Sequence, residues 1–222
     1  MKKLILKISL FSFVAMTFIA CKDGQKETTP SQEKEVAMAS SEAVTYIVDL
    51  EKSVIKWTGN KPTGTHNGTV KIASGSVSAN GMKLETGKFT IDMNSITDTD
   101  LDGKMKANLE AHLKGTVEGK EGDFFNVTQF PTSNFVLTNV MGENENAIIA
   151  GNLTIKEKTH NIEFPAEISY TEDGMVLKSL PFTIDRTKWD VNYGSKSIFD
   201  NLGDKFISDE IGLEIELHAS KQ

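Results

Sequence analysis

Residues 98–110, Asp-Thr-Asp-Leu-Asp-Gly-Lys-Met-Lys-Ala-Asn-Leu-Glu, carry the densest cluster of chemistry-bearing side chains in the chain. Aspartates at alternate positions followed by a glycine resemble a calcium loop, in which carboxylates at positions 1, 3 and 5 face the ion and a bidentate glutamate at position 12 completes the shell. Counted from Asp98, position 12 is Leu109 and Glu110 comes one residue late. On a helix that slip swings a side chain by about 100°. The preceding Phe-Thr-Ile-Asp-Met-Asn-Ser-Ile (89–96) alternates as a strand, so no entering helix is present. Asp100 or Asp102 is therefore read as an N-terminal cap or first-turn charge of a helix, and no calcium site is expected.

The other reactive residue types are scattered. His66, His112, His160 and His218 form no pair at metal-ligand spacing, so they are expected to be satisfied by hydrogen bonds, with no metal and no cofactor. Neither a nucleophile elbow nor a phosphate-binding glycine loop occurs, and the carboxylates alternate with apolar residues as a solvated face. A non-enzymatic protein is expected. Arg186, the one arginine, follows Phe182 and Ile184 on an inward face, where it needs either a fixed carboxylate or an anionic ligand head group. Asn67, Asn126 and Asn152 open N-x-T triplets, read as accidental beside a bacterial-type export signal.

Alternating patterns must position these groups. Ile55 and Trp57 share a face, as do Phe89, Ile91 and Met93; Ile162, Phe164, Ala166, Ile168 and Tyr170; and Ile211, Leu213, Ile215 and Leu217. That period of two predicts antiparallel strands with one dry face, over about 45–49, 53–60, 66–79, 82–93, 133–140, 146–156, 160–170, 174–184 and 205–218. Residues 103–115 alone have helix-forming composition, with Met105, Leu109, His112 and Leu113 on one face. One helix among evenly spaced strands predicts an all-β fold, an elongated antiparallel barrel of about eight strands.

The N-terminal part follows different rules. Lys2 and Lys3 precede a thirteen-residue apolar run, Ile8 to Ala20, of the length of a secretory signal, and Cys21, the lone cysteine, follows it. The pattern resembles a lipobox, with Phe18 where leucine is usual, so residues 1–20 are expected to be a signal peptide and Cys21 the lipid attachment site. Residues 21–44, without aromatics, read as a lipidated flexible tether, and 45–222 as one barrel domain. Loss of the three lysines before Cys21 would take the net charge from −7 to −10, which disfavours nucleic acid and anionic lipid as partners.

Five segments in order carry a resemblance to a known family: His66-Asn-Gly-Thr-Val70, the His112-Leu-Lys triplet, Asp123–Leu137, Gly151–Pro165 and Phe182–Ser195. Together they resemble the YceI-like proteins, a polyisoprenoid-binding, lipocalin-like family of exported bacterial proteins. Here the Gly115–Gly122 link before Asp123 is longer than the family usually has. The resemblance implies a barrel holding a long apolar chain of the isoprenoid or fatty-amide class, and eight strands leave room for one small ligand. Ligand-lining candidates are Ile55, Trp57, Val70, Ile72, Phe89, Ile91, Phe135, Leu137, Ile149, Leu153, Phe164, Ile168, Phe182 and Ile184. Binding, storage or transport of that lipid in the bacterial envelope is expected, with the membrane reached through acylated Cys21. The alternative is a surface lipoprotein that recognises a macromolecule and has a filled core.

Overall fold

The computed structural model describes residues 26–222, so the expected signal segment and Cys21 lie outside the described residues. Along the chain come β1 (Lys26–Glu27), β2 (Val44–Val48), β3 (Val54–Lys61), β4 (Gly64–Asn80), β5 (Lys83–Asp98), α1 (Gly103–Lys114), β6 (Thr132–Met141), β7 (Ala147–Ile155), β8 (Lys158–Tyr170), β9 (Gly174–Ser179), β10 (Phe182–Asp185) and β11 (Glu210–Lys221). Gly115, in the left-handed conformation at φ 70°, ends the helix where any side chain would be strained.

The sheet closes on itself. From β4 to β9 each strand pairs antiparallel with the next, and β9 pairs with β11 through Leu177 and Leu217. On its other edge β11 meets β3 over residues 211–216 and β2 over 219–221, and both of those pair with β4. Strands β2 and β3 thus share one place in a ring of eight, which is interrupted only where β10 and the first half of β8 do not pair with each other. Alternation then sends one side chain in two inward. Tyr46, Ala79, Ala147, Ala166, Ile168, Met175 and Ala219 fill one end as a buried plug. The β3–β4 hairpin, α1 and the segment after β10 frame the other.

Three expected strands differ, and the first, 82–93, runs on to Asp98 as β5. The span 174–184 breaks at Leu180 and Pro181, because proline has no N–H to continue the ladder; the Leu180 N–H still reaches the Pro165 carbonyl, and β10 then leaves β8. The span 205–218 becomes 210–221, since Gly203–Lys205 form a 3-10 turn.

A larger difference concerns the expected flexible tether. Residues 26–43 strap the outer wall, entering the gap between β10 and β8 and crossing to β5. β1 pairs parallel with β10, Ser31 exchanges backbone hydrogen bonds of 2.9 and 3.0 Å with Asn161, and the Ala37 N–H reaches the Leu137 carbonyl at 3.1 Å. Asn152 acts as a surrogate strand: its Oδ1 accepts from the Lys34 N–H at 3.0 Å and its Nδ2 donates to the Lys34 carbonyl at 2.7 Å. Asn161 donates in turn to Asn152 Oδ1 at 3.1 Å. Composition had argued that this segment cannot order itself, and it does not; the barrel wall supplies its hydrogen-bond partners. Both asparagines are buried beneath it, which removes the Asn152 triplet from the surface.

Replacing Asn152 by alanine leaves the Lys34 backbone groups without partners, at about 1–3 kcal/mol. Asn152→Ala is expected to lower the unfolding midpoint in urea and to speed proteolytic cleavage within 30–40, with cleavage elsewhere unchanged.

Candidate functional site

Above the plug the bore is open. A cavity of about 570 Å³ runs up the ring and reaches the surface at the end framed by α1 and the β3–β4 hairpin. Every residue expected to face the ligand lies on its wall except Ile168, which sits lower, in the plug opposite Leu177. β11 also lines it, through Ile211, Leu213, Ile215 and Leu217; their alternation was visible in the sequence, but nothing there said the bore extends past them.

Why the bore stays open follows from ring packing. Phe89, Phe135, Phe164 and Phe182 form a chain of contacts with centroid separations of 6.3, 5.9 and 4.5 Å, the last pair stacked at 7°. Behind Phe89 and Phe135, and behind Trp57, lies bare backbone. A Cβ on Gly151 would fall on the Phe135 ring, one on Gly75 would lie 2.7 Å from Phe89, and one on Gly68 would fall on the Trp57 indole and the Thr97 carbonyl. Each ring therefore folds flat against the wall where a side chain is missing, instead of projecting into the bore.

The mouth is half aromatic and half polar. Leu109, His112 and Leu113 of α1 face the cavity, whereas Met105, expected on the same face, is 66% exposed one turn earlier, beyond the lip. His112 packs edge-on against Phe124 and Tyr193 at 5.0 and 4.9 Å, and its Nε2 lies 2.7 Å from Asp123 Oδ2. Phe124 and Tyr193 were not among the expected lining residues; both lie outside strands, where alternation carries no signal. Across the opening stand Lys61, His66, Lys205 and Glu210.

Arg186 has both a carboxylate and a second set of partners. Its Nε donates to the Ser208 carbonyl at 2.9 Å, Nη2 to Ile207 at 3.2 Å and Nη1 to Val191, while Asp209 Oδ1 stands 3.7 Å from Nη2. Burial lowers its pKa, with Asp209 and Asp185 opposing. These bonds tie the segment 191–209 to the end of β10, so the side chain holds the mouth in shape. Next to it, burial acts to raise the Asp185 carboxyl, but the Thr187 and Lys188 hydrogen bonds outweigh it and hold the group below its usual range.

The aspartate cluster keeps the expected N-cap position of Asp102 but not a cap bond. Asp98 takes the organising role: its Oδ1 accepts from the N–H groups of Asp100 and Leu101 at 3.2 and 2.7 Å. Glu110 folds back so that Oε1 accepts from the Asp98 N–H at 3.0 Å, and Leu109, at the twelfth position, faces the cavity. Asp100 accepts from the Asn67 N–H at 2.5 Å and lies 3.0 Å from His66 Nδ1; the Asn67 bond is the main cause holding its carboxyl below the usual range. The fold thus brings His66 to Asp98 and Asp100 across 32 and 34 residues of chain. The other histidines stay apart, His160 against the Lys188 carbonyl and His218 against Glu216.

The model of the YceI-like domain matches residues 46–219. The chain belongs to the YceI-like family. BcnA of Burkholderia cenocepacia shares the fold with a TM-score of 0.59 at 22% identity, over 77% of this chain and 98% of that one. A polyisoprenoid binding domain from Saccharophagus degradans, described as implicated in plant cell wall breakdown, aligns at 0.58 and 12% identity over 81% and 99%. No match was found among curated proteins.

Two outcomes follow for this YceI-like chain. Arg186→Met is expected to lower stability by about 2–4 kcal/mol through the stranded carbonyls and Asp209, measured by denaturant titration. Gly151→Ala forces the Phe135 ring toward the bore at a cost of about 1–3 kcal/mol, and a crystal structure of the variant should show a smaller cavity.

Proposed function

We propose that this protein is a non-enzymatic carrier of one long-chain apolar lipid, of the isoprenoid or fatty-amide class, held in the barrel and exchanged through the α1 mouth. The observation that carries the reading is the cavity itself. Its volume of about 570 Å³ falls among ligand pockets, typically ~300–1,000 Å³, and below the half-polar mouth its wall is predominantly aliphatic and aromatic. At the ~30 Å³ that a water-sized group occupies in a liquid, it admits on the order of twenty chain carbons. Membership of the YceI-like family, and a neighbour described as a polyisoprenoid binding domain, support the same ligand class. The alternative of macromolecular recognition rested on a filled core, and the core is not filled.

Envelope anchoring through acylated Cys21 is part of the proposal. With the strap starting at Lys26, only four residues, 22–25, lie between the anchor and the wall, at most about 18 Å of extended chain. The barrel would then lie close to its bilayer. Tyr193, Ile198 and Phe199 in the mouth segment are 40–50% exposed, and such a rim lets an insoluble chain pass without a stretch in water.

The test is mass spectrometry of organic extracts from the purified protein, paired with binding of added polyprenols and fatty amides of graded length. A long-chain lipid near one per chain is expected, with affinity falling about fourfold per methylene removed, since each is worth ~0.8 kcal/mol. Phe164→Asp should abolish binding in the folded protein. Extracts without lipid, together with no binding of any added chain, would overturn the proposal.

A further inference from the structure

Beside the mouth, at the turn that leads into α1, His66, Asp98 and Asp100 each place one ligand-type atom within 4.8 Å of the other two. Acidic groups at a turn are common, and this alone says little. The independent observation is Asp98. Its side chain is completely buried, Oδ1 is engaged by two backbone N–H groups, and Oδ2 is enclosed without a hydrogen-bond partner. An unpartnered buried carboxylate oxygen is costly, more so when the group is ionised, and native structures rarely keep one without a water or an ion.

We propose that His66, Asp98 and Asp100 form a binding site for one divalent transition cation of the zinc class. One imidazole and two carboxylates are a ligand set suited to Zn²⁺, and bond lengths of ~2.0–2.2 Å place ligand atoms roughly 3–4 Å apart. The 3.0 Å between His66 Nδ1 and Asp100 Oδ2 and the 4.8 Å limit on the set bracket that spacing, so small side-chain adjustments suffice. Calcium is a poor fit to the same groups. It needs six to eight oxygens, and the position of the bidentate glutamate holds Leu109, while Glu110 is committed to the Asp98 N–H.

The cation would join three elements at the lip of the cavity. His66 lies in β4 and also lines the mouth, Asp98 ends β5, and Asp100 lies in the turn that leads into α1. Bound there, it fastens the helix across the opening to the two strands beneath it. Three protein ligands leave at least one coordination position for solvent. Because the ion binds the folded arrangement alone, mass action raises stability with metal concentration.

Calorimetric titration of Zn²⁺ into the chelator-treated protein, with thermal melts at each metal concentration, tests the proposal. One equivalent of Zn²⁺ is expected to bind at micromolar or lower concentration and to raise Tm, while Ca²⁺ does neither. Asp98→Asn and His66→Gln should each weaken binding at least tenfold, and His160→Gln, on another part of the rim, should leave it unchanged. Should Asp98→Asn fail to fold, His66→Gln decides, since His66 is partly exposed and lies outside the buried turn. No saturable Zn²⁺ binding, or binding that survives His66→Gln or disappears with His160→Gln, would overturn the assignment.

Discussion

The double occupation of β11 is the constraint on which the rest depends. One of its edges is taken by β10 and then β9, the other by β3 and then β2, so the sheet curls into a ring with its apolar face turned inward. An open sheet with the same alternation would pack its apolar face against another layer and leave no bore. Closure at eight strands sets a radius that side chains from opposite walls only just span. What happens inside is then decided by small differences in side-chain volume.

Those differences are distributed along the axis. Toward one end, Ala79, Ala147, Ala166 and Ala219 combine with Tyr46, Ile168 and Met175 into a dry plug. Higher up, phenylalanines and Trp57 dominate, and larger residues would ordinarily fill the bore more completely. Glycines 68, 75 and 151 reverse that outcome by giving the rings bare backbone to lie against. Space in this barrel comes from where side chains are missing in the wall as much as from the residues that line it.

Polar contacts hold the mouth alongside the His112, Phe124 and Tyr193 ring cluster. Arg186 gathers the carbonyls of Val191, Ile207 and Ser208, Asp98 gathers the turn into α1, and the helix itself has no buried residue. A rim fixed by hydrogen bonds can open locally without unfolding the ring beneath it, because few apolar contacts are lost. The strap works likewise on the outer wall, where Asn152 and Asn161 replace the missing neighbour strands of a segment too polar to fold alone.

Much of this was legible in the sequence because a period of two survives wherever one face of a strand is dry. The strands and the inward-facing set could be read from Ile55, Trp57, Phe89, Phe164 and their neighbours, the helix from the composition of 103–115, and the family from a resemblance carried by ordered segments such as Asp123–Leu137 and Phe182–Ser195. Residues placed by loops, such as Phe124 and Tyr193, carry no period and were invisible. So was the strap, whose order comes from the wall and not from its own composition. Four decisions belonged to tertiary structure alone: that the bore is open, that Ile168 plugs it, that Arg186 spends its donors on carbonyls, and that His66 meets Asp98 and Asp100. Each depends on the distance between groups far apart in the chain, and alternation specifies which face a side chain takes but not what it meets there.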